Sequence, residues 1–277
     1  MTQVTSPAGT SLKDLDQTYV ATDVVDGVGY IRLNRPPANS HDLEMVLEYD
    51  RAVLATRFDD DVKAVVLGSE LEKFFSAGAD IKELQSQPAY RTGLLSQTTK
   101  EIIMRMRSIP KVFIAQIEGH CMGGGLEFAM ACDLRFAADG SEKFGMPEIN
   151  LGMIPGEGGT QLLGRTVGLS KALDLMLEGG SFDVHKAQEL GLVDKVFPPE
   201  SIADETHKYA QSIANGPVRA AGFTKISLTE GTEMSLHSAF AFERQLQNEL
   251  LGCADAQEGV NAYVEKRTPK FPGDWGN

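Results

Sequence analysis

The chain has 277 residues, of which 42% are hydrophobic, and its 26 Lys and Arg against 39 Asp and Glu give a net charge of −13. This length can bury a large core and favours one large domain, or one domain with an appendage. The negative charge argues against general binding to nucleic acid or to anionic membranes. No apolar run approaches the roughly 18 residues that a membrane span needs.

The first residues, MTQVTSPAGTSLKD, are polar and lack the apolar core of a signal sequence. We therefore expect residues 1–18 to form a polar tail and the protein to be cytoplasmic. Cys121, Cys132 and Cys253 are an odd number without a CxxC pair, which favours buried free thiols over a disulfide framework or a zinc site. The sequence also lacks HExxH, GxSxG and GxxxxGK motifs.

The first part of the chain alternates strand and helix patterns. Residues 30–33 read as a short strand, and residues 41–58 carry apolar side chains at helical spacing. Residues 62–67 form a β-branched apolar run typical of a buried strand, and a second helical pattern covers residues 92–107. This alternation predicts an α/β fold.

The middle of the chain continues this alternation, whereas the last hundred residues do not. Residues 112–117 read as a buried strand, residues 126–132 as a helix and residues 134–137 as a strand. From about Ser170 the strand signal nearly vanishes. Helices are predicted at 171–177, 184–190, 202–213, 236–250 and 256–266. We therefore expect a core over residues 19–199 and a helical C-terminal region over residues 200–277.

The sequence Gly123-Gly124-Gly125 lies between a predicted strand and a predicted helix. Each glycine costs about 0.5–1 kcal/mol relative to alanine in regular structure, so such a run is typical of a sharp bend or of backbone close to another group. The N–H groups at the helix start would point out of this loop and would suit an oxygen with developing negative charge. A tight turn without a ligand explains these glycines equally well.

A second loop of small residues, 76–80, also joins a buried strand to a helical segment. Two such loops could each direct one N–H group at the same oxygen, as in an oxyanion hole. Asp80 is placed to cap the following helix, and capping alone is the commoner role of such an aspartate.

Two glutamates stand in apolar surroundings near these loops. Glu127 lies in Leu126-Glu127-Phe128-Ala129, and Glu148 lies in Gly145-Met146-Pro147-Glu148-Ile149. Taken singly, each is more simply a surface residue. Together, beside an anion site built from glycines, they suggest general acid and base chemistry.

Four segments carry a resemblance to a known family: residues 76–82, 117–127, 144–148 and 151–161. In this order they resemble the crotonase, or enoyl-CoA hydratase/isomerase, family, and the likeness extends from about Tyr19 to Phe271. The resemblance implies an α/β fold, a spiral of ββα units with a helical C-terminal trimerisation region, assembled as trimers or as hexamers of paired trimers.

The resemblance also implies roles for individual residues. The N–H groups of Ala79 and Gly124 would hold a thioester oxygen, Glu127 would activate water as a base, and Glu148 would deliver a proton as an acid. Contacts with the acyl-CoA substrate are implied for Ala77, Ala79, Asp80, Ile81, Lys82 and Gly124. No metal and no further cofactor is implied, because coenzyme A is part of the substrate.

Three positions depart from the family pattern. His41 could contact coenzyme A or begin a helix, and we favour the helix start. Glu157 replaces a small or apolar residue and could face a polar acyl group or solvent, of which we favour solvent. Pro37 lies near a position where some members have a basic residue for the CoA phosphates, so Arg35 or Lys82 could make that contact instead.

The favoured function is therefore that of an enoyl-CoA hydratase in acyl-CoA metabolism, such as fatty-acid metabolism. A Δ3,Δ2-enoyl-CoA isomerase, or another acyl-CoA lyase of the family, is the alternative among enzymes. Isomerisation needs only one carboxylate, and both glutamates are present here. Binding of RNA without catalysis, known in some relatives, is disfavoured by the charge of −13 and by the pair of glutamates.

Overall fold

The computed structural model describes residues 11–273. Within them the strands are β1 (Val20–Val25), β2 (Val28–Leu33), β3 (Ala64–Ser69), β4 (Phe74–Ser76), β5 (Val112–Ile117), β6 (His120–Met122), β7 (Leu134–Ala138), β8 (Phe144–Gly145), β9 (Ser181–Phe182) and β10 (Lys195–Phe197). The α-helices are α1 (Leu43–Phe58), α2 (Ile81–Ser86), α3 (Ala89–Ser108), α4 (Gly124–Ala131), α5 (Gly159–Val167), α6 (Leu169–Glu178), α7 (Val184–Glu189), α8 (Ile202–Ala214), α9 (Val218–Gly231), α10 (Leu236–Leu251) and α11 (Ala254–Glu265).

The strands form two mixed sheets. The larger has the order β1-β2-β3-β5-β7-β10 and is parallel except for the β1–β2 hairpin. The smaller has the order β4-β6-β8-β9 and is parallel except at β9. Each turn of the chain adds one long strand to the first sheet and one short strand to the second, and then returns through helices, since parallel strands need a crossover. The predicted α/β spiral of ββα units is confirmed.

Apolar patterning places the core between the larger sheet and the helices. Five of the six residues of β3 are buried, as expected for a parallel strand covered on both faces. Helix α1 buries Tyr49 and Val53 in this hydrophobic core. Leu12 is also fully buried there, and its N–H donates to Asp59 Oδ2 at 2.7 Å. Leu12 and, in part, Leu15 of the predicted tail therefore pack on the core, whereas residues 1–10 lie outside the described residues.

The predicted helices and long strands are present, with ends that move by a few residues. The strands β1, β4, β6 and β8 and the helices α5 and α9 were not predicted from the sequence. Two short strands, β9 and β10, lie after Ser170, where the sequence carries almost no strand signal, because each completes the edge of a sheet formed earlier in the chain.

The last helices differ in what they bury. Helix α8 packs Ile202, Ala210 and Ala214 inward, beside the larger sheet. Helix α10 buries none of its residues, and Leu236 and Phe240 on it are exposed. Over residues 11–273, none of the helices combines the length and apolar character that crossing a membrane requires.

Candidate active site

The glycine loop joins β6 to α4. Gly123 has φ of +52°, a region that favours glycine, and its N–H donates to the carbonyl of Gly145 at 2.8 Å. A Cβ atom on Gly123 would lie 2.6 Å from Glu148 Oε1, and one on Gly125 would lie 2.5 Å from the Ser76 carbonyl oxygen. The glycines are therefore required both by the bend and by the close approach of neighbouring groups.

The second predicted loop lies directly beside the first. Gly78 has φ of +92°, and a Cβ atom on it would lie 3.1 Å from the backbone nitrogen of Gly124. Ala79 forms a single parallel bridge with His41, in which the N–H groups of His41 and Asp80 donate at 2.9 Å. In the described part of the chain, the hydrogen bonds of these two loops do not use the N–H groups of Ala79 or Gly124. The two predicted N–H donors thus lie on adjacent backbone segments.

Glu127 is held by backbone on the first turn of α4. Its Oε1 accepts the N–H of Glu157 at 2.8 Å and that of Gly159 at 2.5 Å. Glu127 is only 2% exposed. Burial, followed by the charges of Glu157 and Glu148, raises the pKa of Glu127 to about 8, although the two N–H groups act in the opposite direction. The carboxyl group of Glu127 is therefore buried and held in one orientation by two backbone N–H groups.

Glu148 lies beside the same glycine loop, next to Gly123. It begins a short 3₁₀ helix, Glu148–Leu151, and its Oε2 is buried without a hydrogen-bond partner. Burial, with a contribution from the charge of Glu157, raises the pKa of Glu148 above its ordinary value. The structure thus brings both predicted glutamates to Gly123-Gly124-Gly125.

His41 and Glu157 form a buried pair that corrects two expectations. His41 Nε2 lies 2.9 Å from Glu157 Oε1, and the two residues are 1% and 7% exposed. Helix α1 begins at Leu43 with Asp42 as its cap, so His41 does not begin the helix. Glu157 does not face solvent. The preference for solvent was wrong because a histidine 116 positions away along the sequence supplies the partner.

The charges of this pair are linked to those of the catalytic candidates. Burial alone would lower the pKa of His41, but the charge of Glu157 and the hydrogen bond with it raise the pKa above its ordinary value. Glu127 and Asp42 add smaller contributions in the same direction. Four titratable side chains therefore surround the glycine loop: Glu127, Glu148, Glu157 and His41.

Two residues of the segment predicted to contact acyl-CoA, Ala79 and Asp80, line a cavity. Asp80 caps α2, accepting the Lys82 N–H at 3.0 Å, which confirms the capping interpretation. Arg35 lies 2.7 Å from Asp42 and 3.0 Å from Asp80, so its guanidinium is already engaged, whereas Ile81 and Lys82 are exposed. A cavity of about 390 Å³ extends from His41 and Ala79 between α2 and α3 to Leu84, Leu94 and Leu95. Ala77 is partly buried at the end of β4.

Several residues of the site were missed in the sequence. The backbone N–H groups of Glu157 and Gly159 carry no sequence signal for holding Glu127. Asn39 is fully buried, and its amide donates to Ser69 Oγ and to the Phe75 carbonyl, which holds the turn before His41 against β4. Its position before a small residue was a family feature that could have directed attention to it.

The family is decided by comparison with known sequences. The sequence model of the family described as Enoyl-CoA hydratase/isomerase matches residues 23–274. The chain belongs to this family. It is 39% identical over 248 residues to a protein of Dictyostelium discoideum named "Probable enoyl-CoA hydratase, mitochondrial", covering 88% of this chain and 87% of that protein.

Two further relatives place the family match in context. The chain is 34% identical over 244 residues to the 2,3-dehydroadipyl-CoA hydratase of Escherichia coli, covering 88% of this chain and 94% of that enzyme. The crystal structure of an enoyl-CoA hydratase from Geobacillus kaustophilus HTA426 matches with a TM-score of 0.92 and 40% identity, over 94% of this chain and 98% of that one. The protein is thus a crotonase-family member with the crotonase fold.

Proposed function

We propose that this crotonase-family protein is an enoyl-CoA hydratase, which adds water reversibly to a 2-trans-enoyl-CoA and forms a 3-hydroxyacyl-CoA. The observation that carries the proposal is the placement of two carboxyl groups with raised pKa values, Glu127 and Glu148, at one glycine loop. Two relatives that are 39% and 40% identical to this chain are named as enoyl-CoA hydratases, which supports the same reaction.

The backbone supplies the electrophilic half of the mechanism. Addition at Cβ of the enoyl thioester places negative charge on the carbonyl oxygen as an enolate. The N–H groups of Ala79 and Gly124 would donate to this oxygen, and loss of one such donor typically costs about 2.7–4 kcal/mol of transition-state stabilisation. The start of α4 at Gly124 adds the positive end of the helix dipole.

The two carboxyl groups supply the proton transfers. Ionised Glu127 would take a proton from water as the water oxygen bonds to Cβ, and protonated Glu148 would give a proton to Cα. Negative charges at the two sites repel each other, so the pair favours holding one proton at a time. The one-proton state supplies one acid and one base, and the proposed roles require that its proton lie on Glu148 when water attacks, although burial raises the pKa of Glu127 to about 8.

Contacts with acyl-CoA are proposed on the edge of the cavity. Ala77, Ala79, Asp80, Ile81, Lys82 and Gly124 would line the bound thioester and the coenzyme. Lys82 is the better candidate for a CoA phosphate, because Arg35 is held between Asp42 and Asp80. The apolar wall formed by Leu84, Leu94 and Leu95 would receive the acyl chain.

A homotrimer, or a dimer of trimers, is proposed for the assembly. Its support is the row of exposed apolar side chains on the last helices, Leu236 and Phe240 on α10 and Val260, Tyr263 and Val264 on α11. Apolar surface of this kind is typical of a protein–protein interface. The cytoplasmic location stays a prediction from the sequence.

The isomerase alternative and the RNA-binding alternative make different predictions. An isomerase would need only one of the two glutamates, and RNA binding would need neither. A panel of 2-enoyl-CoA and 3-enoyl-CoA substrates, followed by absorbance of the conjugated thioester, separates hydration from isomerisation and reports the acyl preference.

Single isosteric variants then test the assignments. Glu127→Gln and Glu148→Gln should each lower kcat for hydration by at least 100-fold, because each removes an acid–base group. Glu200→Gln, on an exposed turn, serves as the matched control and should leave kcat unchanged. Full activity in either active-site variant would refute its role, and tight, salt-sensitive RNA binding without acyl-CoA turnover would refute the enzyme.

A further inference from the structure

The His41–Glu157 pair connects every part of the candidate site. The main chain of His41 bonds to both neighbours of Ala79, through the Gly78 carbonyl and the Asp80 N–H at 2.9 Å each. A Cβ atom on Gly124 would lie 2.3 Å from His41 Cε1 and 2.9 Å from Glu157 Oε2, so the pair packs directly on this glycine. The N–H of Glu157 in turn donates to Glu127 at 2.8 Å.

The pair also retains polar atoms that ordinary packing does not explain. His41 Nδ1 and Glu157 Oε2 are both buried without a hydrogen-bond partner. Buried unpaired polar atoms are costly, and a pair kept for stability alone would be expected to satisfy them. On its other side the His41 ring packs on Phe128 of α4, with ring centres 4.9 Å apart, which fixes its position.

We propose that His41 and Glu157 are positioning residues for Glu127: the pair holds the 155–159 loop, whose N–H groups orient this carboxyl group. The inference rests on the proposed hydratase function only for its kinetic readout. His41 and Glu157 would act through Glu127 and through Gly124, without touching the reacting atoms.

The charges around the pair determine the expected direction of change. Glu127 and Glu148 from the catalytic site and Asp42 from the His41 segment face it, and Asp42 is balanced by Arg35. Lys100 and Arg107 of α3 line the cavity of about 680 Å³ on the far side of Glu157. Among the neighbouring charges, that of Glu157 raises the pKa of Glu127 most. Removing the Glu157 charge should therefore let Glu127 ionise at lower pH.

Two substitutions separate charge from position. Glu157→Gln removes the charge and keeps an oxygen that accepts from His41, whereas Glu157→Ala removes both. Glu233→Gln is the matched control, because Glu233 lines the same cavity but pairs with Arg165 on the surface.

The first readout needs no substrate. Carbon NMR of side-chain-labelled glutamate follows ionisation of Glu127, whose signal is identified as the one missing in Glu127→Gln. In Glu157→Gln the Glu127 midpoint should fall by about one pH unit, and the His41 midpoint should also fall because the imidazolium loses its partner. Glu233→Gln should leave both midpoints unchanged. An unchanged Glu127 midpoint in Glu157→Gln refutes the charge role even if the protein turns over no enoyl-CoA.

The second readout is kinetic. In Glu157→Gln the acidic limb of the kcat/KM profile should move down by about one pH unit while kcat at its plateau changes less than threefold. Glu157→Ala should lower kcat at least 10-fold with a smaller change in KM, because the loop that orients Glu127 is released. A change confined to KM, or to preference among acyl groups, would make the pair a contact for a polar acyl chain and overturn the positioning role.

A paired substitution guards against simple misfolding. His41→Leu leaves the buried Glu157 carboxylate without its partner, which is strongly unfavourable. His41→Leu combined with Glu157→Ala removes both charges and should be more active than His41→Leu alone. A loss in the double variant equal to the product of the losses in His41→Leu and Glu157→Ala would show that the two residues act independently, which refutes the pair.

Discussion

Glu127 should destabilise the fold as pH rises, and Glu127→Gln should remove this effect. The folded pKa of Glu127 is about 8 against the ordinary 4.5. The folded state therefore binds the proton more tightly than the unfolded chain does. The contribution of Glu127 to stability is highest below about pH 4.5, is lost progressively as pH rises towards about 8, and then stays lost. At about 1.4 kcal/mol per pKa unit, the full loss is up to roughly 5 kcal/mol.

Urea unfolding of wild type and Glu127→Gln between pH 5 and 9, at one fixed protein concentration, measures this effect. Glutamine keeps an oxygen to accept the N–H groups of Glu157 and Gly159 and cannot ionise. The difference in unfolding free energy between variant and wild type should grow with pH in favour of the variant and level off above about pH 8. Glu200→Gln should show no such growth. A difference that is constant with pH would refute the assignment of a buried, proton-retaining Glu127.

Three further predictions follow from the same geometry. The kcat/KM of hydration should rise with pH as Glu127 ionises and fall once Glu148 has also lost its proton; a profile that is flat from pH 6 to 9 would contradict Glu127 as the base. Gly123→Ala should cost roughly 1–3 kcal/mol of stability through its backbone angle and displace Glu148, measured by urea unfolding and activity, whereas Gly93→Ala, in open space on α3, should cost nothing. Phe240→Ser should lower the particle mass in light scattering, and Tyr90→Ser, equally exposed but on α3, should not.

The sequence was sufficient for the elements that bury a continuous apolar face. The strand at β5 and the helix at α1 follow from side-chain periodicity, because their neighbours must cover such a face. Strands β4, β6 and β8 have only two or three residues and carry no periodicity of their own. They pair with one another through contacts between segments that are distant in the sequence, which is a tertiary effect.

In the candidate site, too, contacts between residues close in the sequence could be predicted and contacts between distant residues could not. Glu127 is two positions after Gly125 in the sequence, so its nearness to the glycine loop could be predicted. The N–H groups that hold it come from residues 30 and 32 positions further along the chain, and the histidine that pairs with Glu157 is 116 positions before it. Contacts over such separations depend on how the loops meet. A polar residue in an apolar motif, as at Glu157, indicates only that a partner is needed.

The buried carboxyl groups of the site affect folding stability and catalysis in opposite ways. Glu127, Glu148 and Glu157 bring three acidic groups to one buried loop, and within the described residues His41, beside Glu157, is the only basic side chain paired with any of them. The remaining two carboxyl groups are easier to bury when they are protonated, yet hydration requires one of them ionised. The pH at which Glu127 ionises is therefore a compromise between the stability of the site and the supply of base. Because Glu157 acts on that pH through its charge and on the geometry through its N–H, one residue controls both sides of the compromise.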